Sequence, residues 1–149
     1  MCVFSKIHRR VLLRIIGARR RKSDHRVLVY SRALELTRCE SIETTVRTRR
    51  LLWAGALIRM GDRRLPKRVM CGKLEHGVKR GRGGQEKDWT TCVNSDVRAF
   101  GIQGEWKQTA LDMEEWALAV TEGGRRFMAK WRKEEEEKAK ARQEKRTAE

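Results

Sequence analysis

Three clusters of arginine and lysine have the residue types and spacing that favour the binding of phosphate groups. Arginine presents a planar fork of donors that pairs with two phosphate oxygens, and lysine supplies a compact positive charge. On duplex DNA, each neutralised phosphate contributes about 0.9 to the slope of log affinity against log salt concentration. The sequence therefore predicts salt-sensitive binding of nucleic acid, RNA or DNA, through phosphate contacts by Arg19, Arg20, Arg21, Lys22, Arg47, Arg49, Arg50, Lys79, Arg80 and Arg82.

The distribution of charge also favours a polyanionic partner. The 149-residue chain contains 36 Lys and Arg against 20 Asp and Glu, which gives a net charge of +16. Residues 1–86 contain 23 basic and 7 acidic residues, whereas residues 87–149 contain 13 of each. Arg outnumbers Lys by 24 to 12, which favours nucleic acid over anionic lipid. A basic surface without a specific ligand is the alternative that charge alone leaves open.

Sequence signatures of catalysis and of metal binding are missing. No Gly-x-Ser-x-Gly, His-Glu-x-x-His or Gly-x-x-x-x-Gly-Lys motif occurs. Cys71 and His76 have the spacing of the end of a zinc knuckle, but Arg68 and Gly81 stand at the other two ligand positions. We therefore expect no enzyme activity, no metal, no cofactor and no small-molecule substrate. Because no Cys-x-x-Cys pair occurs, free thiols are predicted for Cys2, Cys39, Cys71 and Cys92.

Membrane insertion is not expected, since no apolar run approaches the roughly 18 residues that cross a bilayer. We expect a nuclear or cytoplasmic protein without a membrane partner. Residues 1–22 are rich in arginine, amphipathic and free of acidic residues, which also fits a mitochondrial presequence. The run at 19–22 equally suits a nuclear import signal or a phosphate-contacting turn. Mitochondrial import is therefore the alternative localisation.

Helical spacing of apolar residues predicts a mainly α fold, a small domain of about five helices. The first helix would end at Gly17, the second would begin at Ser23 or Asp24, and the third would run from Ser41 to Gly61. Because Trp53 lies on the apolar stripe of the third helix, core packing is favoured for it over base stacking. The predicted stripes are Phe4, Ile7, Val11 and Ile15; Val27, Tyr30 and Leu34; and Ile42, Val46, Trp53, Leu57 and Met60.

The second half of the chain predicts a flexible basic Gly-rich loop at residues 77–84 and two further helices. The fourth helix would carry Trp89, in the core, and the fifth would begin at Asp112 and break at Gly123 and Gly124. A charged, solvated helix would occupy residues 134–149. The predicted parts are a basic nucleic-acid-binding part at 1–86, a neutral Trp-containing part at 87–131 and a charged, exposed helical tail at 132–149.

Two neighbouring segments carry a family resemblance. They are residues 47–60, Arg-Thr-Arg-Arg-Leu-Leu-Trp-Ala-Gly-Ala-Leu-Ile-Arg-Met, and residues 64–67, Arg-Leu-Pro-Lys. They resemble the segment just after the thumb in reverse transcriptases of non-LTR (LINE-type) retrotransposons. The Gly- and Arg-rich stretch at 77–84, the Trp-led pattern at 87–89 and the pattern at 96–101 resemble the next stretch of sequence in that family. Upstream, residues 12–17 resemble the helix end that leads out of the polymerase portion. The resemblance covers residues 7–105.

The resemblance implies a fragment without catalytic function. The catalytic palm of the family, with its paired metal-binding aspartates, would precede residue 1. The chain would then be a detached C-terminal piece that helps to hold RNA or target DNA. Family members commonly carry His where Ala56 stands, and some carry a Cys and His zinc knuckle, so these departures argue against a metal-assisted role. An inert fragment of a degenerate retroelement is the rival hypothesis, and base preference and oligomeric state stay open.

Overall fold

The computed structural model describes residues 3–17, 30–71 and 89–147, and within these ranges all regular structure is helical, without a strand. The predicted mainly α fold is confirmed. Seven helices are present in these ranges. The short fourth and sixth helices were not predicted, because they contain too few residues for an apolar period, and the predicted fifth helix and charged C-terminal helix form one continuous seventh helix. The helices are α1 (Val3–Ile15), α2 (Tyr30–Thr37), α3 (Ile42–Arg59), α4 (Leu65–Cys71), α5 (Trp89–Ala99), α6 (Trp106–Thr109) and α7 (Met113–Thr147).

Several helix ends lie where the capping residues place them. The Thr44 N–H donates to Ser41 Oγ at 3.2 Å at the start of α3, and Asp112 Oδ1 accepts two backbone N–H bonds at the start of α7. Gly17 and Gly101 lie two residues after the last residues of α1 and α5, with φ of 64° and 65°, a conformation that glycine adopts without steric cost. The predicted start of the second helix at Ser23 or Asp24 and the predicted loop at 77–84 lie outside the described residues.

The chain divides into two compact units, Met1–Val46 with Phe127–Glu149 (unit 1) and Arg47–Arg126 (unit 2). The boundaries at residues 86 and 131 rest on charge and composition, and they stay a prediction. In unit 1, the apolar stripe of α1 is exposed and Leu12 beside it is buried. The exposed stripe consists of Phe4 (69%), Ile7 (52%), Val11 (48%) and Ile15 (70%).

Tyr30 lies in the buried core of unit 1. Its hydroxyl oxygen accepts the N–H of Ile42 at 3.0 Å and lies 2.8 Å from His8 Nδ1. The ring of Trp131 meets the tyrosine ring edge-on, with 5.9 Å between the centroids. Because the hydroxyl has hydrogen-bond partners, a polar group is buried here without the cost of an unsatisfied donor or acceptor. The rest of this core cluster consists of Leu12, Ala33, Leu34 and Met128.

Alkaline pH is expected to destabilise this core through Tyr30. Burial raises the pKa of its hydroxyl above the ordinary value of 10.0, although the hydrogen bond from the Ile42 N–H opposes the shift. The folded state thus favours the protonated, neutral form of the Tyr30 hydroxyl. The resulting stability is complete below about pH 10 and is lost as the pH rises through the higher folded-state pKa.

Urea denaturation between about pH 8 and pH 11 measures this loss. The free energy of unfolding should fall more steeply with pH in the natural chain than in Tyr30→Phe, because lysines titrate equally in both. Since Tyr30 is the only tyrosine of the chain, the absorbance of tyrosinate reports its ionisation directly. Identical pH dependence in the two chains would contradict the prediction.

The core of unit 2 is built around Trp116, which is 1% exposed. Its indole N–H donates to the carbonyl oxygen of Leu51 at 2.9 Å. The predicted break at Gly123 and Gly124 is wrong, because α7 continues through both residues. Both glycines are buried, and a Cβ at Gly123 would lie 2.7 Å from Cβ of Phe100. The small residue therefore allows a close approach of Phe100 to α7 and does not end the helix.

Candidate nucleic-acid interface

Helix α3 carries apolar side chains on two faces. Leu51, Ala54 and Leu57 are each 0% exposed and pack in the core of unit 2. Leu52 and Trp53 lie about 100° and 200° around the helix from Leu51, and they remain 38% and 43% exposed. The prediction that Trp53 packs in the core is therefore wrong. Periodicity alone does not decide which of two apolar faces a helix buries.

Arg47 and Arg50 are engaged by a carboxylate within unit 2. Asp96 of α5 is 1% exposed, and its Oδ1 accepts a hydrogen bond from Arg47 Nη1 at 2.5 Å. Its Oδ2 accepts a second bond from Arg50 Nη1 at 2.8 Å. Such charge-assisted bonds are stronger than neutral ones, and here they join α3 to α5. The two arginine side chains stay 23% and 30% exposed, so only part of each faces solvent.

Arg49, the remaining predicted contact on α3, is exposed and has no carboxylate partner among the described residues. It lies four residues before Trp53, so the two side chains are neighbours on the helix surface. No acidic residue occurs between residues 44 and 61. Arg49, Leu52 and Trp53 together form the outer face of α3, a surface that combines one unpaired cation with two apolar side chains.

The two other predicted basic clusters, at residues 19–22 and 79–82, lie outside the described part of the chain. Their participation in phosphate binding stays a prediction. The residues concerned are Arg19, Arg20, Arg21, Lys22, Lys79, Arg80 and Arg82.

Helix α1 presents a row of cations that the sequence analysis did not single out. Lys6, Arg10 and Arg14 are all exposed, and α1 contains no acidic residue. Their spacing of four residues places successive side chains about 6 Å apart along the helix axis, on one edge of the exposed apolar stripe. Within the described ranges, no carboxylate pairs with any of the three. The signal that would have found them is basic residues at i, i+4 and i+8 in an acid-free helix.

Lys67 serves the structure of unit 2. Its ammonium group donates to the carbonyl oxygens of Ile58 and Met60 at 3.0 and 2.7 Å, at the C-terminal end of α3. A cation at this end of a helix satisfies free carbonyls and the helix dipole. The hydrogen bond from Lys67 also lowers the pKa of the exposed Asp62 carboxyl below its ordinary value. Lys67 is therefore a capping residue and a poor candidate for phosphate.

Groups that hold metals are not found in the described ranges, where no three His, Cys, Asp or Glu side chains lie close enough to bind an ion. Cys39 and Cys92 are free, half-buried thiols. The side chains of Cys2, Cys71 and His76 are not among the described ones. No helix of the described segments has both the length and the apolar character that crossing a membrane requires.

Within the described residues, the protein is all-helical and has exposed cationic surfaces on α1 and α3. Comparisons with protein-family models, with curated proteins and with solved structures find no match.

Proposed function

We propose that this chain is a non-catalytic nucleic-acid-binding protein whose exposed cations contact phosphate groups. The observation that carries the proposal is the row of Lys6, Arg10 and Arg14 on α1, which is exposed and free of neighbouring acidic residues on its helix. A line of charges about 6 Å apart suits a polymer with repeated charges better than a single small anion. Because every contact releases condensed counterions, several modest contacts add up to strong binding at low salt.

The net charge of +16 and the exposed Arg49 on α3 support the same function. Arg47 and Arg50 contribute only through the exposed part of their guanidinium groups, since Asp96 binds the other part. The resemblance of residues 47–60 to the post-thumb segment of LINE-type reverse transcriptases adds a biological setting. On this proposal the chain holds RNA or target DNA and polymerises nothing. The seven predicted basic contacts outside the described ranges remain part of the proposed site.

Removing the row of three cations on α1 is expected to lower the affinity for nucleic acid and to reduce the salt dependence of binding. In the variant Lys6→Gln, Arg10→Gln, Arg14→Gln, the slope of log affinity against log salt on duplex DNA should fall by about 0.9 for each phosphate that is no longer neutralised. Fluorescence anisotropy of the full chain with labelled RNA and duplex DNA, between about 50 and 200 mM salt, measures this slope. Glutamine has a helix propensity close to that of lysine and arginine, so α1 itself should persist.

A matched control removes the same net charge elsewhere. Lys130, Lys133 and Lys140 are exposed on α7, near the acidic run at residues 134–137. Their triple replacement by glutamine should leave the slope almost unchanged. Equal effects of the two triple variants would show that overall charge, and not the row on α1, determines binding. If the natural chain binds no better than a generic polycation of the same charge, the proposal fails and the inert-fragment hypothesis replaces it.

A further inference from the structure

We propose that the outer face of α3 is a stacking site for an unpaired base of single-stranded nucleic acid. In this site the indole ring of Trp53 stacks on the base and Arg49 pairs with an adjacent phosphate. The inference rests on the proposed function and deepens it, because it names single strands as the preferred ligand. Leu52, beside the indole, supplies apolar contact for the sugar and the edge of the base.

The exposure of Trp53 is the first observation that requires an explanation. Tryptophan is highly buried on average in folded proteins, and Trp116 of the same unit obeys this rule at 1% exposure. Trp53 retains 43%, and among the described residues it has no hydrogen bond and no ring contact. Leu52 beside it is 38% exposed, so the indole belongs to an apolar surface and is not an isolated exposed side chain.

The chemistry of an indole ring selects an unpaired base. Base and indole stack face to face, and the faces of bases inside a duplex are covered by their neighbours. Stacking tolerates any base, because every base has a π-face. Removing one stacking aromatic side chain typically weakens single-strand binding by about 5- to 150-fold.

The charge of the outer face favours nucleic acid over another protein chain. Arg49 is exposed one turn before Trp53, and no acidic residue lies between 44 and 61 to neutralise it. A phosphate next to the stacked base complements this charge. A second copy of the chain, docked by the same face, would bring two Arg49 guanidinium groups together, which opposes association.

The test compares three probes with the full-length chain: an unstructured single-stranded oligonucleotide, the same strand with abasic positions, and its duplex. Trp53→Ala should weaken binding of the intact single strand by about 5- to 150-fold and change binding of the abasic strand and the duplex little. Trp53→Phe, which keeps an aromatic face, should restore most of the affinity. Arg49→Gln should lower the single-strand salt slope by about 0.7. Leu118→Ala, at a 61% exposed apolar residue of α7, is the control and should match the natural chain.

Several outcomes would overturn the inference. Equal weakening on intact and abasic strands would mean that Trp53 does not contact a base, and equal weakening on the duplex would remove the preference for single strands. A dimer in sedimentation experiments that Trp53→Ala dissociates, with unchanged nucleic-acid affinity, would assign the face to a second copy. If the natural chain shows salt-dependent binding that Trp53→Ala does not alter, only the stacking site fails. If the natural chain binds none of the probes, the proposed function fails as well.

Discussion

Asp96→Ala is expected to lower the free energy of unfolding by about 3 kcal/mol, since removing one partner of a buried ion pair costs about 3–5 kcal/mol. The carboxylate is 1% exposed and joins two arginines of α3 to α5, so its removal leaves two guanidinium groups without their counter-charge. The lower end of the range applies because Arg47 and Arg50 are 23% and 30% exposed and regain some hydration. Urea denaturation followed by circular dichroism measures the change.

A second aspartate provides the control for this prediction. Asp62 also pairs with a cation, Lys67, but its side chain is 92% exposed. Surface ion pairs contribute little to stability, so Asp62→Ala should unfold almost as the natural chain does. Asp96→Asn, which keeps the shape and removes the charge, should lie between the two. If Asp96→Ala were no less stable than Asp62→Ala, the ion pairs of Asp96 would contribute nothing to the fold.

Gly55→Ala is expected to destabilise unit 2 by about 2 kcal/mol. Gly55 is buried on α3, and a Cβ there would overlap with the indole of Trp116, itself buried and hydrogen-bonded to Leu51. Overpacking of this kind costs about 3 kcal/mol at the upper end of its usual range, and the better helix propensity of alanine offsets about 1 kcal/mol. Chemical denaturation followed by tryptophan fluorescence measures the destabilisation.

Gly124 is the matched control, because it is also buried and helical but has room for a methyl group. The nearest atom to a Cβ at this position is Thr48 Oγ1 at 3.5 Å, an ordinary van der Waals contact. Gly124→Ala should therefore leave stability unchanged or raise it by up to about 1 kcal/mol through helix propensity. Equal stability of the two alanine variants would show that Trp116 moves aside without cost.

Helix ends are the part of the fold that the sequence predicts well, because capping depends on residues close together in the chain. Ser41 and Asp112 accept backbone N–H bonds at the starts of α3 and α7, and Gly101 lies two residues after the end of α5. The same local rules fail at Gly123. There the decisive contact comes from Phe100, which lies 23 positions earlier and packs where a Cβ would stand.

Which face of α3 is buried could not be predicted from the sequence. Its apolar residues surround the helix, so a stripe through Val46, Trp53 and Leu57 and a stripe through Leu51, Ala54 and Leu57 fit the same periodicity. Only the packing partners in unit 2 choose between them. They bury Leu51 and Ala54 and leave Trp53 at 43% exposure.

The different roles of the arginines on α3 could not be predicted for a related reason. Asp96 lies 49 positions from Arg47 and 46 from Arg50, and nothing local indicates that its carboxylate reaches both. The sequence therefore predicts phosphate binding equally for all three arginines of the cluster. The three arginines have the same side chain, and a carboxylate distant in sequence distinguishes them. Arg47 and Arg50 bind Asp96 of α5, whereas Arg49 has no carboxylate partner among the described residues.

The buried carboxylate beneath two of these arginines makes the tolerance of the motif to substitution uneven. Loss of Asp96 leaves Arg47 and Arg50 without the buried acid that they bind, so we expect a change at position 96 to be tolerated only together with changes at 47 and 50. Arg49 has no carboxylate partner among the described residues, so we expect its replacement to affect ligand binding and not the fold. The segment Arg-Thr-Arg-Arg therefore combines two positions that the fold constrains with one that the ligand constrains.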